Sequence, residues 1–262
     1  MNAFFRYSIF EHCKLNHFTT TVHGGVSSGN YATFNLCSYS GDSVTSVSEN
    51  RALLANTLGI SKNLLFIPRQ THGDQLRIID GDFLDLSEED QQKELYGVDA
   101  LITQEKNVGI GVITADCVPI SIYDTKNAIL GIVHAGWKGT AARIGSKTVV
   151  EMMSRFSSKA VNLKVSIGPS ISKENFEVGD EVGQAFIDAG FDLETIAYRK
   201  GSTEKLHIDL WRANIESLMA LGILENNIEV SGICTFESTD FFSARRQTFY
   251  TGRMFTGGII RE

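Results

Sequence analysis

Proline is nearly absent from this chain of 262 residues, with three in all, and cysteine is sparse, with four. Four widely separated cysteines in a chain of this length do not make a disulfide scaffold, so Cys13, Cys37, Cys117 and Cys234 read as reduced thiols. The sequence contains no CxxC pair, no GxxxxGK[ST] loop, no HExxH helix and no GxGxxG after a strand. Those absences exclude the commonest zinc, nucleotide-triphosphate and dinucleotide motifs. No run approaches the roughly 20 apolar residues of a membrane span, and "MNAFFRYSIF" lacks the cationic start and long apolar stretch of a secretory signal. A cytoplasmic protein with no membrane partner is expected. Positive charge is also in deficit: the formal net charge is -7, which argues against a phosphate-backbone surface and against nucleic acid as a partner. Any anionic ligand must therefore be met by a local concentration of cations.

What the chain does have is enough apolar material, 42 % of its residues, to fill a substantial core. No internal repeat or low-complexity linker divides it, so one domain spanning 1–262 is expected. The pattern predicts an α+β fold, a mixed sheet covered by helices. "HFTTTVHGG", "NLLFIPRQTH", "VGIGVITADCVPISIYD", "AILGIVHAGW", "LKVSIGPSI" and "IEVSGICTF" read as strands, and "FFSARRQ" with "RMFTGGIIRE" as a closing pair. Helices are predicted for "SVTSVSENRALLANTLG", started by Asp42 or Ser43, for "GTAARIGSKTVVEMMSRF", for "GDEVGQAFIDAG" and for "DLWRANIESLMALG", capped by Asp209. The acidic stretch "GDFLDLSEEDQQKEL" reads as a solvated loop or short helix. Pro68, Pro119 and Pro169 fall at the ends of apolar runs, where proline's missing donor marks strand ends, edges or bulges.

Chemistry-bearing residues gather at those same ends. Cys117 heads one apolar strand and His134 closes the next, while His72 follows a third. Their separations are too long for a zinc finger but suit side chains projecting from neighbouring strand ends. The alternative is a buried thiol with two hydrogen-bonded histidines. Two imidazoles and one thiolate would leave a fourth tetrahedral position open, as catalytic zinc sites do. Asp116, on a regular strand, points away from Cys117; packing, support of the site and catalysis all remain open for it. Lys138 and Arg143 lie near a helix start, and adjacent Arg245 and Arg246 on a strand would send one guanidinium each way. The "HGGVSSGN" loop could bring its backbone close to a phosphate or sugar. Strand-end packing is the expected role of His207 and Cys234, and burial that of Cys37; His12, Cys13 and His17 resemble a metal cluster only in composition.

In this order, "HGGVSSGNYATFNL", "RQTHGDQ", "VGIGVITADCVPI", "VHAGWKGT", "SIGPSI", "FFSARR" and "TGRM" resemble the YfiH-like, laccase-domain family of purine nucleoside phosphorylases. The resemblance spans nearly the whole chain and implies that His72, Cys117 and His134 are metal ligands and catalytic residues. It further implies Asn35 and Arg51 as substrate contacts, beside Lys138 at its helix start and Arg245 of the adjacent pair, which the residues themselves offer as anion contacts, and zinc, with copper as the other candidate, as the cofactor. The implied reaction is phosphorolysis of adenosine, inosine and methylthioadenosine to base and ribose 1-phosphate, with adenosine deamination as a second activity. A purine nucleoside and phosphate are then the partners, and a homodimer is an admissible assembly. His23 stands where the family usually carries an arginine. Three other functions are open: a Cys-His amide hydrolase acting on a peptidoglycan precursor, a copper-dependent phenol oxidase, and a zinc- or nucleoside-binding module without catalysis. Six histidines, three of them within the first 23 residues, are few for a multicopper cluster.

Overall fold

A computed structural model describes residues 2–201 and 204–262. The apolar runs form strands as expected, but the described residues place them in three sheets rather than one. A six-stranded sheet has the order Ile228–Val230, Leu163–Ile167, Val118–Asp124, Ile129–Ala135, Val98–Thr103, Gln75–Ile79. A five-stranded sheet has the order Phe4–Phe5, Leu15–Thr20, Met254–Ile260, Gly109–Thr114, Leu65–Phe66. A small third sheet joins Glu177–Val178, Leu206–Ile208 and Ala197–Arg199. Both large sheets are mixed: their central pairs are antiparallel, while Gln75–Ile79 beside Val98–Thr103 and Leu65–Phe66 beside Gly109–Thr114 are parallel.

The partition follows from one break. "VGIGVITADCVPISIYD" is two strands, Gly109–Thr114 in the five-stranded sheet and Val118–Asp124 in the six-stranded one. Asp116, at φ 89°, cannot continue an extended strand and redirects the chain between the sheets. The two sheets bury Leu101, Ile110, Val112, Tyr123, Leu130 and Ile132 in one cluster. On the other face of the six-stranded sheet, helices Ile144–Phe156, Asp180–Asp188 and Leu210–Met219 contribute Val149, Met152, Phe186 and Leu218 to a second cluster with Ile120, Ile122 and Val133. Helix Val44–Leu58 packs Leu54 and Leu58 against Phe18 and Phe255 of the five-stranded sheet and against Phe34 of the loop beside it. Its first turn is capped by Ser43, whose side chain accepts from Ser46 N–H.

Two local expectations are corrected, and a third, the acidic stretch, takes its short-helix alternative. "GTAARIGSKTVVEMMSRF" is not one helix but two, Trp137–Ala141 and Ile144–Phe156, because Arg143 between them is left-handed at φ 58°. Its guanidinium donates to Ser217 Oγ and to the carbonyls of Ala189 and Gly190, and lies 4.1 Å from the Phe191 ring centroid, which fixes the break. "FFSARRQ" is not a strand: Ala244–Gln247 is a helical turn capped by Ser243, held by Arg246 donating to the carbonyls of Thr235, Phe236, Ser238 and Phe241. The acidic stretch forms helices Gly81–Leu84 and Glu88–Glu94 and anchors itself by burying Phe83.

Two contacts make testable demands on the sequence. Gly111 and Gly257 face each other across adjacent strands under the Phe255 ring; a Cβ at Gly257 would meet the Ile110 carbonyl oxygen at 2.2 Å. Gly257→Ala is expected to lower stability by about 1–3 kcal/mol or more through overpacking, read as a fall in the urea midpoint. His17 joins the two large sheets through a 2.7 Å bond between Nε2 and Ser121 Oγ. Burial, reinforced by Arg6, holds its pKa down to about 3. Its contribution is complete above the ordinary histidine range and is lost as pH falls toward 3, because only the unfolded chain takes the proton easily, at up to about 1.4 kcal/mol per pH unit. The stability difference between the protein and His17→Gln should therefore shrink as denaturation is measured from pH 7 down to pH 4.

Candidate metal centre and pocket

The chain break at Ala115–Cys117 puts Cys117 just before Val118–Asp124, and the hairpin that follows returns His134 beside it: Pro119 and His134 are register partners. His72 arrives on the turn after Phe66, left-handed at φ 62°. One ligand atom from each of His72, Cys117 and His134 lies within 4.8 Å of the others, with His134 buried, Cys117 half-buried and His72 exposed. The imidazole centroids of His72 and His134 are 4.8 Å apart, nearly edge to face. Gly136 lets the three converge, since a Cβ there would sit 3.1 Å from Cys117 Sγ and 3.2 Å from His72 Cδ2.

Asp99 holds this arrangement together. Fully buried in strand Val98–Thr103, it accepts from His134 Nδ1 at 2.7 Å, from the His72 and Thr71 amides at 3.1 and 3.2 Å, and from the Gly73 amide at 2.8 Å. One carboxylate therefore orients the His134 ring, leaving Nε2 for a ligand, and shapes the turn that presents His72. The sequence reading passed over it; its signal was a lone acid inside the apolar strand "VDALIT".

The electrostatics suit a cation. Burial raises the Cys117 thiol, but facing His134 and His72 outweigh it and bring the pKa down to about 6. Burial lowers His134, while Cys117 and Asp99 together raise it to about 9. Asp99 is pushed up by burial yet kept below the usual carboxylate range by His134 and the backbone donors. The negative sulfur that a soft divalent ion requires is thus prepared by the side chains themselves. Among the described residues no other group of three histidine, cysteine or acidic side chains comes together in this way.

The three residues form one wall of a cavity of about 480 Å³. Its other walls include Tyr39, Phe176 and Phe249, which are aromatic, Arg245 and Arg253, and Thr114 and Asp116. Asp116 lies in a turn rather than on a strand and stitches the cavity wall, accepting from the Thr235 hydroxyl at 2.6 Å and the Arg245 amide at 2.7 Å. The Arg245 guanidinium donates to the carbonyls of Asn175 and Glu177 and lies 5.7 Å from the Phe176 ring centroid. Arg253, in the "TGRM" motif but not singled out from sequence, donates to the carbonyls of Phe249, Thr251 and Gly252. Thr114 Oγ1 is buried and has no hydrogen-bond partner.

Of the expected substrate contacts, only Arg245 lines this cavity. Asn35 is fully buried behind it, its amide donating to Ser40 and Asp42 while its oxygen accepts from Cys37 and Arg253 amides, so it supports the wall. Arg51 donates to the Leu36 carbonyl and lines a separate cleft with Lys62 and Phe66. Lys138 is exposed, 5.5 Å from the Trp137 ring centroid, and is not among the residues that line the cavity. In "HGGVSSGN", Gly25 serves close packing within the chain, since a Cβ there would strike the Thr33 carbonyl, whereas Gly29 supplies a left-handed turn at φ 57°. His23 pairs with Asp240 at 2.9 Å. His207 and Cys234 are buried as expected, and so is Cys37, which also borders the cavity.

A mixed α/β chain with a His-Cys-His group at the junction of two sheets defines a known class. Residues 16–261 match the family described as "Multi-copper polyphenol oxidoreductase laccase", and the chain belongs to that laccase-like, YfiH family. It is 42 % identical over 256 residues to a purine nucleoside phosphorylase of Bacteroides thetaiotaomicron, covering 97 % of this chain and 95 % of that one. It is also 45 % identical over 240 residues to the adenosine deaminase RL5 of an unknown prokaryotic organism, covering 91 % of each. The crystal structure of YlmD from Geobacillus stearothermophilus superposes with a TM-score of 0.91 at 31 % identity, covering 100 % of this chain and 97 % of that one.

The part played by Asp99 is checked by metal affinity. Asp99→Asn should keep the fold but weaken zinc binding by about 10–100-fold, since the imidazole and the His72 turn lose their common anchor. Competition against a chromogenic zinc chelator measures it, with thermal unfolding as the control. Cys117→Ser should lose still more, a neutral hydroxyl being a much poorer ligand than a thiolate.

Proposed function

We propose that the protein is a zinc-dependent purine nucleoside phosphorylase that cleaves adenosine, inosine and methylthioadenosine with phosphate to base and ribose 1-phosphate, and deaminates adenosine as a second activity. The observation that carries this reading is a His72, Cys117 and His134 group opening into a cavity with aromatic and guanidinium walls. The donor set fits zinc: two imidazoles and one thiolate, drawn together around Gly136. When bound there, zinc would act as a Lewis acid that polarises an oxygen or nitrogen of the substrate. A multicopper centre lacks donors, because His17 sits between the sheets, His207 belongs to the small sheet and His23 pairs with Asp240.

The remaining work falls to the chain. Tyr39, Phe176 and Phe249 offer faces on which a purine can stack. Arg245 and Arg253 bond carbonyl oxygens rather than carboxylates among the described residues and have spare N–H donors, enough to seat a phosphate and to stabilise charge as the glycosidic bond breaks. The unpaired Thr114 hydroxyl is available to a sugar or base polar atom. Four unpaired cysteines accord with the reducing environment of the cytoplasm.

A second reading has its own support. Asp99, His134 and Cys117 form the orienter, base and nucleophile order of a Cys-His hydrolase. The two are separated by one assay series. For the phosphorylase, inosine cleavage requires added phosphate, yields ribose 1-phosphate, stops on chelation and returns with zinc; Arg245→Ala raises the KM for phosphate more than that for inosine. Free ribose formed without phosphate would make the protein a nucleoside hydrolase. Amide cleavage that survives chelation and is abolished by alkylating Cys117 would establish the Cys-His mechanism.

A further inference from the structure

We propose that the protein has a second ligand site, specific for a linear chain of phosphate groups, in a basic cleft at the end of the sheets remote from the metal centre. The cleft has a volume of about 690 Å³ and is bordered by Lys14, Lys106, Lys126, Lys164 and Arg261, against which stands the single carboxylate residue Glu262. The buried Tyr123 and half-buried Cys13 complete it. These cations come together because the strands end together: Lys14 precedes Leu15–Thr20, Lys106 precedes Gly109–Thr114, Arg261 follows Met254–Ile260, Lys126 sits in the turn between Val118–Asp124 and Ile129–Ala135, and Lys164 lies on Leu163–Ile167. The same hairpin carries Cys117 and His134 at its opposite end, a strand length of roughly 20 Å away. The cleft and the catalytic cavity share no residue.

None of the five cations is in an ion pair with a described residue. Lys164 donates to the Ile9 carbonyl and Arg261 to the Leu58 carbonyl, contacts that position them without neutralising them. The neighbouring Asp124 is fully buried and committed to the Lys126 and Asn127 amides and the Asn127 side chain. In a chain of net charge -7, five cations line one cleft against a single acidic residue, Glu262, and the excess of positive charge left there is the arrangement an anionic ligand requires. One phosphate group brings only about -1.5 to -2 at neutral pH, so two or three linked groups are needed to match the cluster. The net charge opposes a long nucleic acid, which would have to approach the whole acidic molecule.

Isothermal titration of the full chain with inorganic tripolyphosphate tests the site, with ATP as a nucleotide source of the same group and adenosine as the control. Saturable, salt-sensitive binding of one tripolyphosphate per chain is expected, together with protection of Cys13 from iodoacetamide by peptide mapping. Equal affinities for tripolyphosphate and ATP support recognition of the phosphate chain alone; tighter binding of ATP supports the nucleotide as its source. The exposed pair Lys14→Ala and Lys126→Ala should weaken binding at least about tenfold while leaving nucleoside cleavage unchanged, since charge-assisted contacts are lost. Cys117→Ser should bind tripolyphosphate as before, which keeps this result separate from any failure of the catalytic assignment. The proposal is overturned if binding is absent at millimolar concentration, is lost in Cys117→Ser but kept in the lysine variant, or is weaker than that of a short single-stranded oligonucleotide.

Discussion

A buried carboxylate is tolerated only when its acceptor sites are filled, and Asp99 fills them with one imidazole and three successive backbone amides. That requirement runs in both directions. The 71–73 turn adopts its left-handed step at His72 because its amides find an acceptor there, and His134 presents a single nitrogen to the cavity because the other is engaged. Removing the whole carboxylate would orphan four donors at once, which is why an acid occupies the interior of an otherwise apolar strand.

The location of the site follows from how the sheets meet. A strand that leaves one sheet and enters the next must turn between them, and the turn at Ala115–Cys117 delivers a thiol and a carboxylate to the seam. The carboxylate faces outward to Thr235 and Arg245, so the same short turn attaches the C-terminal segment. The thiol and the carboxylate are adjacent in sequence yet divergent in direction, an outcome that regular strand alternation would also produce but that here arises from a positive φ.

Much of this was legible in the residues. Long β-rich apolar runs announce central strands, and cysteine and histidine at their ends announce a site, because those side chains have few reasons to sit together at the margin of a sheet. The partition into sheets was not legible: Gly111 and Gly257 enable a close strand pairing whose partner is far away in sequence. Asp99 was hidden for a similar reason, since its meaning lies in donors from another turn. Asn35 and Arg51 carried the right chemistry for a ligand, but their own chain absorbs it, Asn35 by filling both ends of its amide and Arg51 by reaching a carbonyl behind the wall. Arg245 and Arg246 looked like strand neighbours; Ser243 makes them members of a helical turn instead.

The walls of the cavity differ in how they are built. The side that carries Cys117 and His134 rests on continuous sheet ladders, whereas the side formed by segments 171–178 and 234–253 combines the buried Phe241 and Phe242 with arginine-to-carbonyl bonds from Arg245, Arg246 and Arg253. Phe249 and Tyr250 at its rim are 70 % and 66 % exposed and contribute little burial to hold it. Phe241 and Phe242 behind that rim are buried in a small core cluster with Ala115 and Met254, so only the exposed aromatic edge is free of the core. Ligand passage at that edge would leave undisturbed the strand ends that carry Cys117 and His134.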